Sequence, residues 1–189
     1  MIRKALVAAA AVLALSACNQ QGSGPQLPPV QAGAQAPSTQ PSQTAPAQQA
    51  NVTPEVRQQL IDNIGQQLNQ IGQNFASGMN PPTGFTDQIV PMQPSTDHRF
   101  NIALTGGSNY TIIGACDGDC TNVDIELIDV STGGVVASDM LPDDYPVVNF
   151  APSANGNYIV RLLMQQCSVA PCYAGARVLQ QTGGGAGPK

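Results

Sequence analysis

The chain has 189 residues, a formal net charge of −5 and an isoelectric point near 4.4, with 10% charged residues, 4% aromatic residues and no tryptophan. Its few basic residues are scattered, so the positive patch that nucleic acids need is missing and a nucleic-acid-binding role is excluded. The scarcity of aromatic side chains also disfavours a stacking platform for sugars.

The chain opens with a secretion signal. Ile2, Arg3 and Lys4 supply a basic start, and Ala5 to Leu15 form an unbroken apolar run. This run is too short to span a bilayer stably, so it is typical of a signal peptide rather than a transmembrane helix. We predict that residues 1–17 are this signal peptide.

The signal ends in Leu15-Ser16-Ala17-Cys18, which resembles the lipobox of bacterial lipoproteins. The resemblance implies cleavage before Cys18, lipidation of Cys18 with acyl chains such as palmitate, and a lasting membrane anchor. Asn19 follows the cysteine, and by the sorting rule of enteric-type bacteria it favours the outer membrane, facing the periplasm or the exterior. An ordinary secretory signal with an incidental cysteine is the alternative.

Residues 18–52 form a segment of biased composition. From Gln20 to Val52 it is nearly all Gln, Pro, Ala, Gly, Ser and Thr, without aromatic residues. Such a segment cannot bury enough apolar surface to offset its chain entropy. We therefore predict a disordered, solvated tether with a reach between about 35 Å as a coil and about 100 Å when extended.

An amphipathic helix is predicted over residues 53–79. Thr53-Pro54-Glu55 supplies a cap residue, a proline in the first turn and an acidic residue. Gly65 and Gly72 lie beside an apolar seam at heptad spacing. The seam either packs on the following domain or mediates self-association, so a homo-oligomer is one of the two possibilities. The seam residues are Ile61, Ile64, Leu68, Ile71 and Phe75.

After an extended connector at residues 80–97, the period of hydrophobicity changes to two. Short alternating strands separated by Gly, Asn and Pro, with no helix between them, predict an all-β domain, an antiparallel β-sandwich, over residues 98–181. Thr132-Gly133-Gly134 is a predicted hairpin turn, and Asn155-Gly156 is the strongest hairpin signal of the chain. Residues 182–189 are predicted to be a flexible tail.

Part of this domain resembles the bacterial pre-peptidase C-terminal (PPC) domain, a jelly-roll-like β-sandwich. The resemblance implies a non-catalytic module that serves substrate binding or secretion, and hence an envelope protein, secreted protein or glycan as partner. It rests on VDIELIDVSTGGVVASD and NGNYIVRLLM, with matches at Asp124, Ile125, Leu127, Asp129, Gly133, Gly156, Tyr158 and Val160.

Four cysteines remain once Cys18 is assigned to the lipid, an even number in an oxidising compartment. The pairs Cys116–Cys120 and Cys167–Cys172 are the economical choice, although crossed pairing stays open if the two loops lie side by side. Each disulfide closes a short loop and is therefore expected to add only about 2 kcal/mol to the free energy of unfolding.

The stretch CDGDCTNVDIELID raises the question of a calcium site. Asp117, Asp119 and Asp124 are hard oxygen ligands, and Asp143-Asp144 could join them. Read as an EF-hand, however, the loop has Asn122 where glycine is needed. A disulfide-pinned turn with solvated acids is the favoured interpretation, while a redox pair is disfavoured because the neighbouring charges are negative.

No catalytic residue is predicted. His98 is the single histidine, and a nucleophile elbow or a zinc-binding motif is missing from the sequence. Asp143-Asp144 with Asp139 is the one acidic cluster in a predicted loop, and adjacent residues point apart. The expected function is that of a lipid-anchored, non-catalytic protein that binds or scaffolds an envelope or secreted partner. The alternatives are a calcium-dependent structural module and self-assembly through the helix seam.

Overall fold

A computed structural model of the chain describes residues 22–39 and 45–181. Among these residues, no helix is both long and apolar enough to cross a membrane. The elements, in chain order, are β1 (Gln48–Gln49), α1 (Pro54–Phe75), β2 (Met79–Asn80), β3 (Gln88–Met92), β4 (Thr96–Leu104), β5 (Tyr110–Cys116), β6 (Cys120–Asp129), β7 (Val135–Asp139), β8 (Val147–Phe150), β9 (Gly156–Cys167), β10 (Val169–Ala170) and β11 (Cys172–Gln181).

Two antiparallel sheets form the body of the protein. The front sheet has the strand order β4-β9-β6-β7, and the back sheet has the order β2-β11-β5-β8, with β3 also paired to β11. Each sheet turns alternate apolar residues inward, as strand geometry requires. The predicted antiparallel β-sandwich is therefore confirmed. The inward residues include Phe100, Ile102, Ile112, Ile125, Leu127, Val160, Leu162, Ala174 and Val178.

Helix α1 covers the outer face of the back sheet. It begins as predicted, because the side chain of Thr53 accepts a hydrogen bond from the amide of Val56 and Pro54 occupies the first turn. Ile64 and Leu68 of the seam are fully buried, and they pack with Tyr173 and other residues of β5 and β11. The seam thus packs on the domain, which was one of its two predicted roles.

A glycine allows this close packing of helix on sheet. A Cβ atom added at Gly175 of β11 would lie 2.7 Å from Cγ2 of Ile64, closer than side chains approach each other. The helix can approach β11 here because Gly175 has no side chain.

Residues 22–39 differ from the prediction of a solvated tether. They form an irregular segment, here called the strap, that lies against the outer face of the front sheet. At its start Ser23 bridges to β4: its amide donates to the carbonyl of Asp97 (2.8 Å), and its carbonyl accepts from the amide of Arg99 (2.8 Å). Farther along, Gln31 donates to the carbonyl of Thr132 (2.8 Å). The strap therefore crosses the sheet from β4 to the turn before β7.

Residues 45–52 are also held by the domain, since β1 pairs in parallel with β10 and the amide of Ala50 donates to the carbonyl of Ala170 (2.7 Å). Because the strap covers the front sheet and the helix covers the back sheet, the protein has four layers: strap, front sheet, back sheet and helix.

Some predicted boundaries and one predicted turn differ from the structure. The helix ends at Phe75, and the connector contains β2 and β3 and ends where β4 begins at Thr96. The hairpin predicted at Asn155-Gly156 is wrong, because β8 belongs to the back sheet and β9 to the front sheet. Residues 151–155 therefore carry the chain from one sheet to the other.

Candidate functional site

The predicted lipidation site, Cys18, lies outside the described residues, as do the signal peptide and the predicted tail. Lipidation therefore stays a prediction.

The four other cysteines form two local disulfides. Cys116 bonds to Cys120 and Cys167 to Cys172, with Cα–Cα distances of 5.9 and 6.0 Å, so the economical pairing is confirmed. Cys120 lies opposite Cys167 in the ladder of β6 and β9, and the amide of Ser168 donates to the carbonyl of Asp119 (2.8 Å). Both bridges thus brace the same end of the sandwich.

The structure does not bring the three predicted calcium ligands together. Among the described residues, no group of three or more His, Cys, Asp or Glu side chains is placed to share a metal ion. Asp117 is buried and accepts hydrogen bonds from the amides of Tyr173 (2.6 Å) and Asp119 (3.3 Å). Burial raises the pKa of Asp117, against these bonds. Its carboxylate therefore fastens the disulfide turn to β11, while Asp119 is exposed.

Asp124 lies on the outer face of the front sheet. The side-chain amide of Gln165 donates to its Oδ2, and both side chains are buried. Burial, and with it the negative charges of Asp139, Glu126 and Asp143, raises the pKa of Asp124 from 3.8 to about 6, against the hydrogen bond from Gln165. The sequence favoured solvated acids in this stretch, and for Asp124 that interpretation is wrong, because its side chain is buried.

A buried ionic cluster lies on the same face. Arg161 of β9 is 4% exposed and bonds to Asp97 through Nε and to Glu126 through Nη1 (2.8 Å). Arg99 completes the cluster with a 2.8 Å contact between its Nη2 and Oδ1 of Asp97. Buried charges are tolerated only when they are paired and hydrogen-bonded, so the four side chains depend on one another.

The strap completes the hydrogen bonds of this cluster with its backbone. The carbonyl of Ser38 accepts from Nη1 of Arg161 (2.8 Å), and its amide donates to Oε1 of Glu126 (2.8 Å). At the β4 end, Nη1 of Arg99 donates to the carbonyl of Pro25 (3.3 Å). The cluster bonds to backbone atoms of the strap, which explains why a segment of low-complexity composition can dock.

His98 lies where the strap meets β4. Its Nδ1 is 2.8 Å from the hydroxyl of Ser23, and its ring packs near that of Phe100. Burial lowers the pKa of His98, and the charge of Asp97 opposes that shift. The histidine thus joins β4 to the strap by a hydrogen bond and packs beside Phe100.

A partly exposed pair of aromatic residues lies where the end of the helix meets the loop between β7 and β8. Phe75, the last residue of α1, stacks on Tyr145 in the loop between β7 and β8, with ring centroids 6.4 Å apart. The two residues are 52% and 46% exposed, although aromatic rings are usually buried in the core. They border a cleft of about 360 Å³, also lined by Gln67, Gln70, Ile71, Asn74 and Asp144. We call these seven residues the aromatic patch.

Sequence reasoning missed both the strap and the aromatic patch. Phe75 continued the apolar seam, and only its place at the end of the helix distinguished it from the buried seam residues. Of the two predicted loop acids, Asp144 belongs to this patch and Asp143 borders it: the carboxylate of Asp143 accepts a hydrogen bond from the amide of Tyr145 (3.2 Å).

No protein-family model matches the chain, and a search of curated proteins finds no significant match.

Proposed function

We propose that the chain is a lipid-anchored, non-catalytic protein of the bacterial envelope that binds a protein partner through the aromatic patch. The lipobox resemblance at Cys18 and the two disulfides support an exported, oxidising location. The resemblance to the PPC domain points to binding rather than catalysis.

The half-exposed stack of Phe75 on Tyr145 is the observation that carries this proposal. Aromatic side chains that remain exposed beside a cleft are typical of protein interfaces, where they act as rigid anchors. Met140 and Leu141, in the same loop as Tyr145, are 41% and 62% exposed, so this loop carries further exposed apolar side chains.

The lining of the cleft indicates the chemistry of the partner. Gln67, Gln70 and Asn74 offer amide groups, Asp144 offers a carboxylate, and the whole chain carries a net charge of −5. The partner is therefore a protein segment that inserts an apolar side chain next to a lysine or arginine. Its association is expected to weaken with salt, because exposed charges are screened.

Site-specific photo-crosslinking in the native envelope tests this proposal. A photoreactive amino acid replaces Phe75 in one variant and Val56 in the control; Val56 is 43% exposed on the first turn of the same helix. The two positions are about 28 Å apart along the helix. We expect a discrete protein adduct from position 75 that the second substitution Tyr145→Ser abolishes, and no such adduct from position 56.

With the captured partner purified, Phe75→Ala is expected to weaken binding about tenfold or more, as truncation of an interface anchor does. Equal adducts from both positions, or unchanged affinity of Phe75→Ala, would contradict the proposal. An adduct made only with a second copy of this chain would favour self-association instead.

A further inference from the structure

We infer that the docked strap holds the front sheet beside the lipid surface, with the β4 edge nearest to the bilayer, instead of letting the domain stand off on a long tether. This inference rests on the proposed lipid anchor at Cys18. Its partner surface is the headgroup layer of the membrane that carries the protein.

The length of chain between anchor and domain carries the inference. Ser23 is bonded to β4 through its amide and its carbonyl, at 2.8 Å each, and the described strap begins at Gly22. Four Cα–Cα steps separate Cys18 from Gly22. Whatever conformation they adopt, four steps cover at most about 14 Å.

Without the docked strap, the reach would be several times longer. The next strand along the chain is β1, which begins at Gln48 and pairs with β10. Thirty residues from Cys18 to Gln48 would span about 30 Å as a flexible coil and about 90 Å when extended. Docking of the strap therefore decides whether the domain lies at the membrane or far from it.

The start of the strap fits β4 closely, which supports a fixed attachment. Gly24 has a φ angle of +107°, and a Cβ atom at this position would lie 1.9 Å from the carbonyl oxygen of Arg99. Only glycine combines this conformation with this approach. Behind it, Pro25 accepts the hydrogen bond from the guanidinium of Arg99 that ties the strap to the buried ionic cluster.

The same geometry turns the aromatic patch away from the lipid. β4 is one edge strand of the front sheet and β7 the other, while Tyr145 follows β7 and Phe75 lies on the helix layer. Three strand spacings, about 14 Å, and the two layer spacings, about 20 Å at right angles to them, place the patch roughly 25 Å from the β4 edge. A partner in the aqueous compartment can then reach the patch while the protein stays anchored.

Energy transfer to labelled lipid tests the inference on the full mature lipoprotein. A fluorophore is placed at Asn101, an exposed residue of β4, or at Gln73, an exposed residue of the helix layer. The protein is reconstituted in vesicles of phosphatidylethanolamine and phosphatidylglycerol that carry an acceptor on the headgroup. We expect higher transfer efficiency from position 101 than from position 73.

Gly24→Val provides the perturbation, because its side chain cannot fit against Arg99. We expect the difference between the two labelled positions to disappear and both efficiencies to fall. Gly118→Val is the matched control, because a Cβ atom at Gly118 meets no other group within 4 Å. It is expected to leave both efficiencies unchanged. The comparison within the unmodified protein does not depend on how either variant folds.

Two failures remain distinguishable. Equal transfer from the two positions, in protein whose acylation is verified by mass spectrometry and which floats with the vesicles, would overturn the inference and leave the anchor intact. Protein that carries no acyl chain and does not float would overturn the proposed anchoring itself, and the inference with it.

Discussion

The carboxylate of Asp124 is expected to destabilise the folded protein at neutral pH. It is buried on the front sheet with one hydrogen-bond donor, Gln165, and its pKa is raised to about 6. We predict that Asp124→Asn stabilises the protein at pH 7.5. Asparagine retains an oxygen that can accept the hydrogen bond from Gln165 but carries no charge.

The magnitude follows from linkage. A rise of the pKa of Asp124 from 3.8 to about 6 corresponds to about 3 kcal/mol, because a tenfold change in an acid's dissociation constant is worth about 1.4 kcal/mol. Ionisation of Asp124 therefore costs the folded state about 3 kcal/mol relative to the unfolded chain. Because the neutral amide forms a weaker hydrogen bond than the carboxylate, we expect a net gain of about 1–3 kcal/mol in the free energy of unfolding.

The contribution of Asp124 to the free energy of unfolding is expected to fall as the pH rises. Between pH 3.8 and about 6 the folded state keeps the proton of Asp124 while the unfolded state has lost it. This group therefore contributes less and less stability as the pH rises through that window. The stability difference between Asp124→Asn and the unmodified protein should be small at pH 4 and fully developed above pH 6.

Urea denaturation at pH 4, 5, 6 and 7.5 measures this difference. Asp119→Asn, which removes a charge from an exposed residue, controls for the change in net charge. The reasoning fails if Asp124→Asn is less stable than the unmodified protein at pH 7.5, or if the difference between the two proteins is the same at every pH.

Three further predictions concern the ionic cluster, the helix contact and calcium. Arg161→Met leaves the buried carboxylate of Glu126 without a cation and Asp97 with Arg99 alone, so urea denaturation should show a loss of about 3–5 kcal/mol, whereas Arg57→Met on the exposed helix surface should change stability by less than about 1 kcal/mol. Equal losses would show that the cluster is not buried. Gly175→Ala forces a Cβ atom against Ile64 and should destabilise by about 1–3 kcal/mol, while Gly65→Ala, in open space on the helix, should stabilise by up to about 1 kcal/mol in the same assay. The opposite order would mean that the helix does not lie on β11. Because the predicted calcium ligands are not brought together, the melting temperature should be the same in calcium and in chelator, and a calcium-dependent rise would restore the alternative of a calcium-ordered module.

Patterns among residues close in sequence predicted the elements that depend mainly on such neighbours: strands, the helix start and the short disulfide loops. The hydrophobic period of two correctly predicted the strands of the sandwich, such as β6 with Ile125 and Leu127 in the core, and the Thr53-Pro54 pair correctly predicted the start of the helix. The spacing of the cysteines likewise predicted the two short disulfide loops.

Features that depend on distant partners were not predictable in the same way. Asn155-Gly156 is a good turn sequence, but whether it closes a hairpin depends on which sheet accepts each flanking strand. The composition of residues 22–39 indicates a solvated coil, but the segment docks because residues far along the chain, among them the buried Arg161 and Glu126, bond to its backbone. No residue within the segment itself indicates that it will dock on the sheet.

The strap also imposes an order on assembly. Its hydrogen bonds join Pro25 to Arg99, Ser38 to Glu126 and Ser38 to Arg161, across sequence separations of 74, 88 and 123 residues. Contacts at such separations close large loops, and they cannot form before both partners are present. The strap is synthesised before its partners, yet it can dock only after β9 has left the ribosome. A chain truncated before β9 would therefore lack the arginine that holds Ser38.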